Sequence, residues 1–440
     1  MIAFIVSGQT LPHLFRQSVQ SLAAVLPSVT PVEIQGGGIA GRINEILTGT
    51  DDRDPWFIIL EAGDCLKPSF APELEALLAK LPEHSAGAAF PSETAISGPR
   101  PAASPVPRAP LLWRKAAVLA EPNPGFAERP DCPFEKYSIL EKYYQLSHRF
   151  TWAIIPGDFI VQSPKPTLYW QKEEEEWALI SPLLQAPAHP VMNEASAGDI
   201  KPLVTFVICA YNDAAYLPWA IRSVMAQTVP QWELILIDDG STDDTEPVLQ
   251  RFAGDPRIRT IVLERNHGKA YALNRALREA GAEWILELDA DDWLAPECAG
   301  SLLRAARERP EAAMIYAGHT EWTERMNKEL LYRGHKFPSQ PLSPGRLLDE
   351  AAPVAPRMFR VSALREKAGW NLSAPYDSRL YEDLELIVRL AADHEFHYVP
   401  EPLYHRRIRP SSITHRQRKE TYREWRAWML GRLGEADPRY

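Results

Sequence analysis

From residue 202 onward, short apolar runs alternate with amphipathic stretches in a regular order. Leu203 to Ile208 is apolar, an amphipathic stretch follows, then apolar Trp232 to Ile237, a second helical stretch, and apolar Ile258 to Leu263. Strands separated by helix-length connections are joined by crossovers, and crossovers build a mostly parallel sheet with helices on its faces. In the first helix Leu217, Ala220, Ile221, Val224 and Met225 recur at i, i+3, i+4, i+7 and i+8, which predicts one buried face. Pro218 falls in its first turn, where a missing N–H removes no helical hydrogen bond. Further on, Ala270 to Ala280 reads as a helix, Glu283 to Leu288 as a strand and Met314 to Ala317 as another strand. This is the order of a nucleotide-binding α/β domain.

The chain has 440 residues, more than one hydrophobic core usually organises, so two domains are expected. Its 40 prolines, about 9% against a usual ~5%, cluster from Pro91 to Pro110 and from Pro182 to Pro202. The second cluster follows the acidic run Glu173 to Glu176 and reads as an extended linker over residues 181–201. A net charge of -10 argues against the broad attraction to phosphate backbones that nucleic-acid binding needs. Four widely spaced cysteines, Cys65, Cys132, Cys209 and Cys298, form neither a disulfide framework nor a zinc cluster, and fit a reducing cytoplasm. The chain opens on the strand-like Met1-Ile2-Ala3-Phe4-Ile5-Val6 instead of a secretory signal, and no stretch approaches the ~20 apolar residues of a membrane span. The expectation is a cytoplasmic protein, at most peripheral to a membrane, with no transmembrane segment.

Chemistry-bearing residues follow the strands in order. Val207-Ile208-Cys209-Ala210-Tyr211-Asn212-Asp213 closes the first strand and Ile237-Asp238-Asp239-Gly240-Ser241 the second, before Asn266-His267-Gly268-Lys269. Asp289-Ala290-Asp291-Asp292 follows the strand that begins near Trp284, which places carboxylates at a strand's carboxyl end, where open α/β sheets bind ligands. Such carboxylates suit a hard divalent cation, Mg²⁺ or Mn²⁺, bridging diphosphate oxygens. A solvated acidic loop, a core Tyr211 and a turn-forming Asp239 are the structural alternatives for each motif alone.

Together the Ala-Tyr-Asn, Asp-Asp-Gly-Ser and Asp-Ala-Asp-Asp motifs make Pro202 to Pro296 closely resemble the nucleotide-sugar-binding half of the family 2 glycosyltransferases, whose GT-A fold is a mostly parallel Rossmann-like sheet flanked by helices. The resemblance covers residues 202–415, with 416–440 as a helical tail. It implies an inverting transferase that uses a nucleotide diphosphate sugar, a uridine diphosphate sugar among them, and a divalent cation. By position it implies that Ala210 and Tyr211 line the base pocket near Asp213 and that Asp239 accepts a hydrogen bond from base or ribose. Asn266, Lys269 and Asp291 also fall to the donor nucleotide, and Asp292 with Asp289 to the metal. From Arg357-Met358-Phe359-Arg360 through Gly369-Trp370 to Tyr381-Glu382-Asp383 the acceptor half is similar, with Asp383 as catalytic base and Glu382 and Trp370 close by. An acidic pair opening a helix also favours the macrodipole, so that reading is compatible with a structural one. Tyr404-His405-Arg406-Arg407-Ile408-Arg409-Pro410-Ser411-Ser412 resembles the family's closing basic motif, which implies Arg406 and Arg407 near the diphosphate; guanidinium forks suit phosphate oxygens. Arg409 stands where many relatives have histidine, which puts metal ligation from that position in doubt.

The first half, residues 1–180, carries a faint copy of the pattern. Ala40 to Asn44 precedes Trp56 to Pro68 much as Ala270 to Asn274 precedes Trp284 to Pro296, with the tryptophans 228 positions apart (284 minus 56). Glu61, Gly63 and Asp64 stand in place of Asp289, Asp291 and Asp292, and aligning Pro156 with Pro400 sets Ile139 opposite Asp383. The half therefore reads as a smaller, degenerate GT-A-like α/β domain without catalysis, available to bind the acceptor, to form a homodimer or to buttress the enzyme. The acceptor class stays open among glycan, lipid-linked saccharide, protein and small molecule. A nucleotide-sugar-binding scaffold or regulatory pseudoenzyme is the rival reading, and a nucleotidyltransferase would need a Gly-rich phosphate loop that Gly36-Gly37-Gly38 does not frame. The terminal stretch His415 to Leu433 reads as an amphipathic helix whose Tyr422, Trp425, Trp428 and Met429 are placed to pack on the core or to contact a partner, core packing being the expectation.

Overall fold

Apolar strands that lie between two helical layers need no polar face, and the segments Ile2–Val6, Trp56–Leu60, Val204–Ala210 and Trp284–Leu288 are largely apolar runs of this kind. The computed structural model describes the chain except residues 8–11, 36–37, 51–54, 92–109, 122, 129–132, 135–136, 156, 164–166, 186–200, 327, 329, 352, 410–419 and 437–440. It comprises two units, Met1–Leu184 and Gln185–Tyr440.

In the first unit β1 (Ile2–Ser7), β2 (Thr30–Gln35), β3 (Trp56–Glu61), β5 (Ser85–Ala89), β6 (Leu111–Arg114) and β7 (Thr151–Ile154) form one sheet in the order β2-β1-β3-β6-β5-β7. The short β4 (Cys65–Leu66) and β8 (Ile160–Val161) pair with each other, antiparallel. Neighbours β1 and β2, β1 and β3, and β5 and β7 are parallel, while β6 runs antiparallel to both β3 and β5.

The second unit contains β9 (Val204–Ala210), β10 (Trp232–Asp238), β11 (Ile258–Val262), β12 (Trp284–Asp289), β13 (Trp293–Leu294), β14 (Met314–Glu324), β15 (Leu330–Lys336), β16 (Arg357–Arg360) and β17 (Phe396–Ile408). The sheet order is β11-β10-β9-β12-β16-β14-β17-β13, with β15 on β14. Strands β11, β10, β9 and β12 are parallel, and β16 is antiparallel to both β12 and β14. Strand β17 is parallel to β14 and antiparallel to β13. Successive β9 residues point to opposite faces: Phe206 and Ile208 join a core with Leu217, Ile221 and Val224 of the helix Leu217–Met225. Val207 joins a second core with Leu273 and Leu277 of the helix Lys269–Glu279 and Leu386 and Ile387 of the helix Glu382–Ala391.

Three expectations change. Met314 to Ala317 is only the first part of an eleven-residue strand, because β14 continues past a register shift to pair with β15 and β17. Residues 181–185, expected as part of a linker, are helical: the helix Thr167–Gln185 runs through Pro182, and Ile180, Leu183 and Leu184 are buried, so apolar packing outweighs one lost helical hydrogen bond. The remainder of that stretch, 186–200, and the proline-rich 92–109 lie outside the described residues, as do Cys132 and 410–419. The terminal helix spans Glu420–Ala436, with Trp425, Met429 and Leu433 buried in the second core. No helix among the described residues is long and apolar enough to cross a membrane.

Candidate active site

Parallel strands β9, β10 and β12 all end at one edge of the sheet, and the loops that leave them are tied together by hydrogen bonds. Asn212, in a left-handed conformation (φ 56°), donates from its backbone N–H to Ser241 Oγ at 2.9 Å, and its Oδ1 accepts from Thr242 N–H at 2.8 Å. Asp239 is buried, and its two oxygens accept from the backbone N–H groups of His267 and Gly268, both at 2.8 Å. That positions the loop from which the helix Lys269–Glu279 starts. Each oxygen retains a second lone pair. Tyr211 is exposed, Ala210 behind it is buried, and the exposure sets aside the core-aromatic alternative.

The acidic loop after β12 meets cations from two sides. Lys269 Nζ pairs with Asp289 Oδ1 and lies 3.9 Å from Glu382 Oε1. Arg409 Nε lies 2.7 Å from Asp291 Oδ2, and its Nη1 donates to Asp213 Oδ1 at 3.1 Å while the guanidinium stacks over the Tyr216 ring. Asp292 is buried, with Oδ1 accepting from Arg407 N–H at 2.6 Å and Oδ2 from the Tyr404 hydroxyl at 2.8 Å. Burial alone would raise the Asp289 carboxyl, but Lys269 and Arg357 reverse this and hold it down at about 2. Burial pushes Asp291 up to about 6 and, with Asp291 and Asp289 as neighbours, drives Asp292 well above the ordinary carboxylate range. Among the described residues no group of three or more His, Cys, Asp or Glu side chains converges as a metal cage. Two outward carboxylates, Asp289 and Asp291, still fit a cation that takes most of its ligands from phosphate and water.

On the acceptor side, Asp383 stands in the first turn of the helix Glu382–Ala391. The segment before it is unusual: Tyr376, Asp377, Ser378 and Tyr381 all have φ between 55° and 62°. Non-glycine residues rarely adopt that conformation, and clusters of them occur where geometry serves a site. Arg379 donates to the backbone carbonyl of Asn266 at 3.3 Å and also to its side chain, joining this segment to the loop after β11. Arg357 is buried on β16 and donates to Glu287 Oε2 on β12 through Nη2 at 2.6 Å and Nε at 3.0 Å. Its Nη1 lies 3.4 Å from Asp383 Oδ2. Burial raises Glu382 to about 7, Asp383 adds to the rise, and Lys269 opposes it.

The geometry gathers Asp213, Lys269, Asp289, Asp291, Glu382 and Asp383 through direct contacts and shared partners, and revises four expectations. Asp292 was expected to bind metal; here it is buried and each of its oxygens accepts one hydrogen bond, from the Tyr404 hydroxyl and from Arg407 N–H, which ties it to the strand beside it. Arg407 was expected near diphosphate, but its side chain is buried against Glu324 (3.0 Å) and the Asp291 carbonyl (2.9 Å). Trp370 was expected near the acceptor; it is 1% exposed and belongs to the second core. Asn266 has its side-chain oxygen engaged by Arg379. Arg406 remains partly exposed, 3.5 Å from Glu321. His405 is a core residue that stacks on Trp293 and accepts from Trp322 Nε1 at 3.1 Å, and burial lowers it to about 3. Sequence reading assigned no role to Arg357, Arg379, Tyr404, Tyr216 or Glu324. Arg357 was legible only as an arginine opening an apolar strand, a position where an unpaired charge would be costly.

Residues 205–365 match the sequence model described as Glycosyl transferase family 2. The chain is 29% identical over 208 residues to the chondroitin synthase of Escherichia coli, covering 47% of this chain and 29% of that protein. It is 42% identical over 115 residues to the succinoglycan biosynthesis protein ExoO of Rhizobium meliloti (strain 1021), covering 26% of this chain and 32% of that one. The chain thus spans about a third of these curated relatives. Among solved structures, S. aureus TarS 1-349 in complex with UDP-GlcNAc aligns at 17% identity and a TM-score of 0.43, over 53% of this chain and 67% of that one.

Proposed function

We propose that this chain, whose residues 205–365 belong to glycosyltransferase family 2, transfers a sugar from a uridine diphosphate donor to an acceptor hydroxyl with inversion, Asp383 acting as general base. The observation that carries this reading is the Arg357 bridge. One buried guanidinium grips Glu287, two residues before Asp289 on β12, and also faces Asp383. The base and the donor-side carboxylates are therefore referenced to one rigid strand pair. In the step, the acceptor oxygen forms a bond to the anomeric carbon as the bond from that carbon to the diphosphate oxygen breaks. The electron pair leaves with the nucleoside diphosphate, and the acceptor proton passes to Asp383. A divalent cation held by Asp291 and Asp289 would neutralise charge on the departing diphosphate. Arg409 already occupies Asp291 in this structure, so the cation and that guanidinium share one carboxylate. The test is Asp383→Asn, which keeps size and removes basicity. Transfer is expected to fall by roughly 10² to 10⁴ with donor affinity nearly constant. Transfer at the wild-type rate, with chemistry limiting, would remove Asp383 from the mechanism.

We infer further that the first unit is a degenerate copy of the second and does no chemistry. The order β2-β1-β3-β6-β5-β7 matches β10-β9-β12-β16-β14-β17 strand for strand, with the same direction at every pairing. Asn44 donates to Phe126 O at 2.9 Å and accepts from Phe126 N–H at 2.7 Å, while Asn274 does the same with Trp370 at 2.7 and 2.9 Å. In each case a glycine with positive φ, Gly125 or Gly369, precedes the clamped aromatic, and a Cβ there would collide with the asparagine oxygen. Asp64 is buried and accepts from Ser163 N–H at 2.9 Å, as Asp292 accepts from Arg407 N–H. The helices Ser138–Ser147 and Glu382–Ala391 start 244 positions apart (382 minus 138), the same offset as Pro156 and Pro400. What differs is charge. By these registers Glu287, Arg357, Lys269, Asp291 and Asp383 correspond to Ile59, Leu111, Ile39, Gly63 and Ile139.

A further inference from the structure

A cavity of about 550 Å³ opens in the second unit where the helix Lys269–Glu279 ends, away from the acidic loop. The two ends of that helix are far apart: Arg278 follows Lys269 by nine residues, a rise of roughly 13 Å. Twelve residues line the cavity, of which Arg278, Arg365, Lys367, Arg389 and Arg432 are cationic and none is a carboxylate. On a chain of net charge -10 this concentration runs against the overall balance.

Two of the five are committed within the chain. Arg389 donates to Glu385 at 2.9 Å and to the carbonyls of Lys367 and Gly369 at 2.8 and 2.7 Å, and Lys367 pairs with Asp393. Basic residues in a last helical turn also offset the carbonyl end of the helix, and Arg278, Arg365 and Arg389 each occupy such a turn. That accounts for Arg389, whose guanidinium is fully engaged. Arg278 and Arg365 share that placement with little else to hold them, and Arg432 does not: Arg365 makes one long contact, 3.5 Å to Leu277 O, and among the described residues Arg278, Arg365 and Arg432 form no ion pair. Three guanidinium groups around a cavity of ligand size match the fork geometry of a phosphoryl group.

We propose that this cavity is an anion site, separate from the transfer site, that binds a phosphate monoester or diphosphate through Arg278, Arg365 and Arg432. Its ligand is either a soluble phosphate compound or the phosphate of a lipid headgroup, and the experiment separates these sources. Arg278 and Arg365 are exposed, so their replacement leaves the core intact. Pyrophosphate binding is measured by calorimetry in the presence of a chelator, and vesicle binding by sedimentation with phosphatidylglycerol and with phosphatidylcholine. Wild type is compared with Arg278→Gln/Arg365→Gln and with Arg278→Lys/Arg365→Lys, all checked for equal melting. Loss of tenfold or more in pyrophosphate affinity in the Gln variant, largely restored by Lys, supports the site with a soluble ligand. The same loss confined to phosphatidylglycerol vesicles supports it with a headgroup ligand. Wild-type binding to neither probe, or equal binding by wild type and the Gln variant to both, overturns the proposal.

Discussion

Asp291 and Asp292 are adjacent in sequence and meet different partners, because strand end and loop turn them differently. Asp292 points back into the fold and serves as acceptor for one backbone N–H and one hydroxyl. Asp291 is partly exposed and pairs with the Arg409 guanidinium, which also holds Asp213. Asp292→Ala is therefore expected to leave Arg407 N–H and the Tyr404 hydroxyl without that acceptor, at about 1–3 kcal/mol for each group left unsatisfied. Asp291→Ala should leave the melting temperature within a few degrees of wild type while Mn²⁺ affinity drops. Calorimetric Mn²⁺ titration beside thermal unfolding separates the two. If Asp292→Ala loses Mn²⁺ binding with unchanged stability, the assignment of roles is reversed.

At the scale of elements, the parallel half of the second sheet was legible because β9, β10 and β12 are buried on both faces and the edge strand β11 still carries an apolar run. Apolar runs at Leu203, Trp232, Ile258 and Glu283 predicted strands to within a residue or two of β9, β10, β11 and β12. The antiparallel half was less so: β14 and β17 run eleven and thirteen residues with His, Thr, Glu and Arg among them, and polar strands give little periodic signal. Motif order located the acidic loop, but which carboxylate faces outward depends on Tyr404 and Arg407, more than 110 positions away. No local pattern encodes that. The asparagine clamp is similar, since Asn274 reaches Trp370 across 96 positions. Asn274→Ala removes two hydrogen bonds and is expected to cost about 1–3 kcal/mol. Because the same helix begins with Lys269 beside Asp289 and Glu382, it should also lower transfer. Asn44→Ala should carry a similar stability cost with transfer unchanged. Equal loss of transfer in both variants would count against a non-catalytic first unit.

For the whole molecule, the proposed duplication pairs two sheets of the same strand order but different charge content, and each has a measurable signature. In the first unit Lys142 is buried, and its amine is lowered to about 8 chiefly by burial and then by Arg149. Its folded value lies below the unfolded one, so between about pH 8 and 10.5 the unfolded chain binds more protons and this group's penalty fades as pH rises. Wild type should therefore gain stability relative to Lys142→Met across that window in denaturant titrations, and a flat difference would contradict the shift. In the second unit the matching question concerns Glu287 and Arg357, whose counterparts under the proposed duplication are Ile59 and Leu111. A buried ion pair is often no more stabilising than apolar residues of similar volume, whereas breaking it strands a charge at about 3–5 kcal/mol. Glu287→Ile alone should thus be strongly destabilising. The double variant Glu287→Ile/Arg357→Leu, which installs the first unit's solution, should recover most or all of that loss. Transfer should not recover with it, because Asp383 would have lost the guanidinium that fixes it relative to β12. Stability and turnover measured on the two variants decide the matter: if the double variant folds well and also transfers sugar normally, the Arg357 bridge is structural and the site does not depend on it.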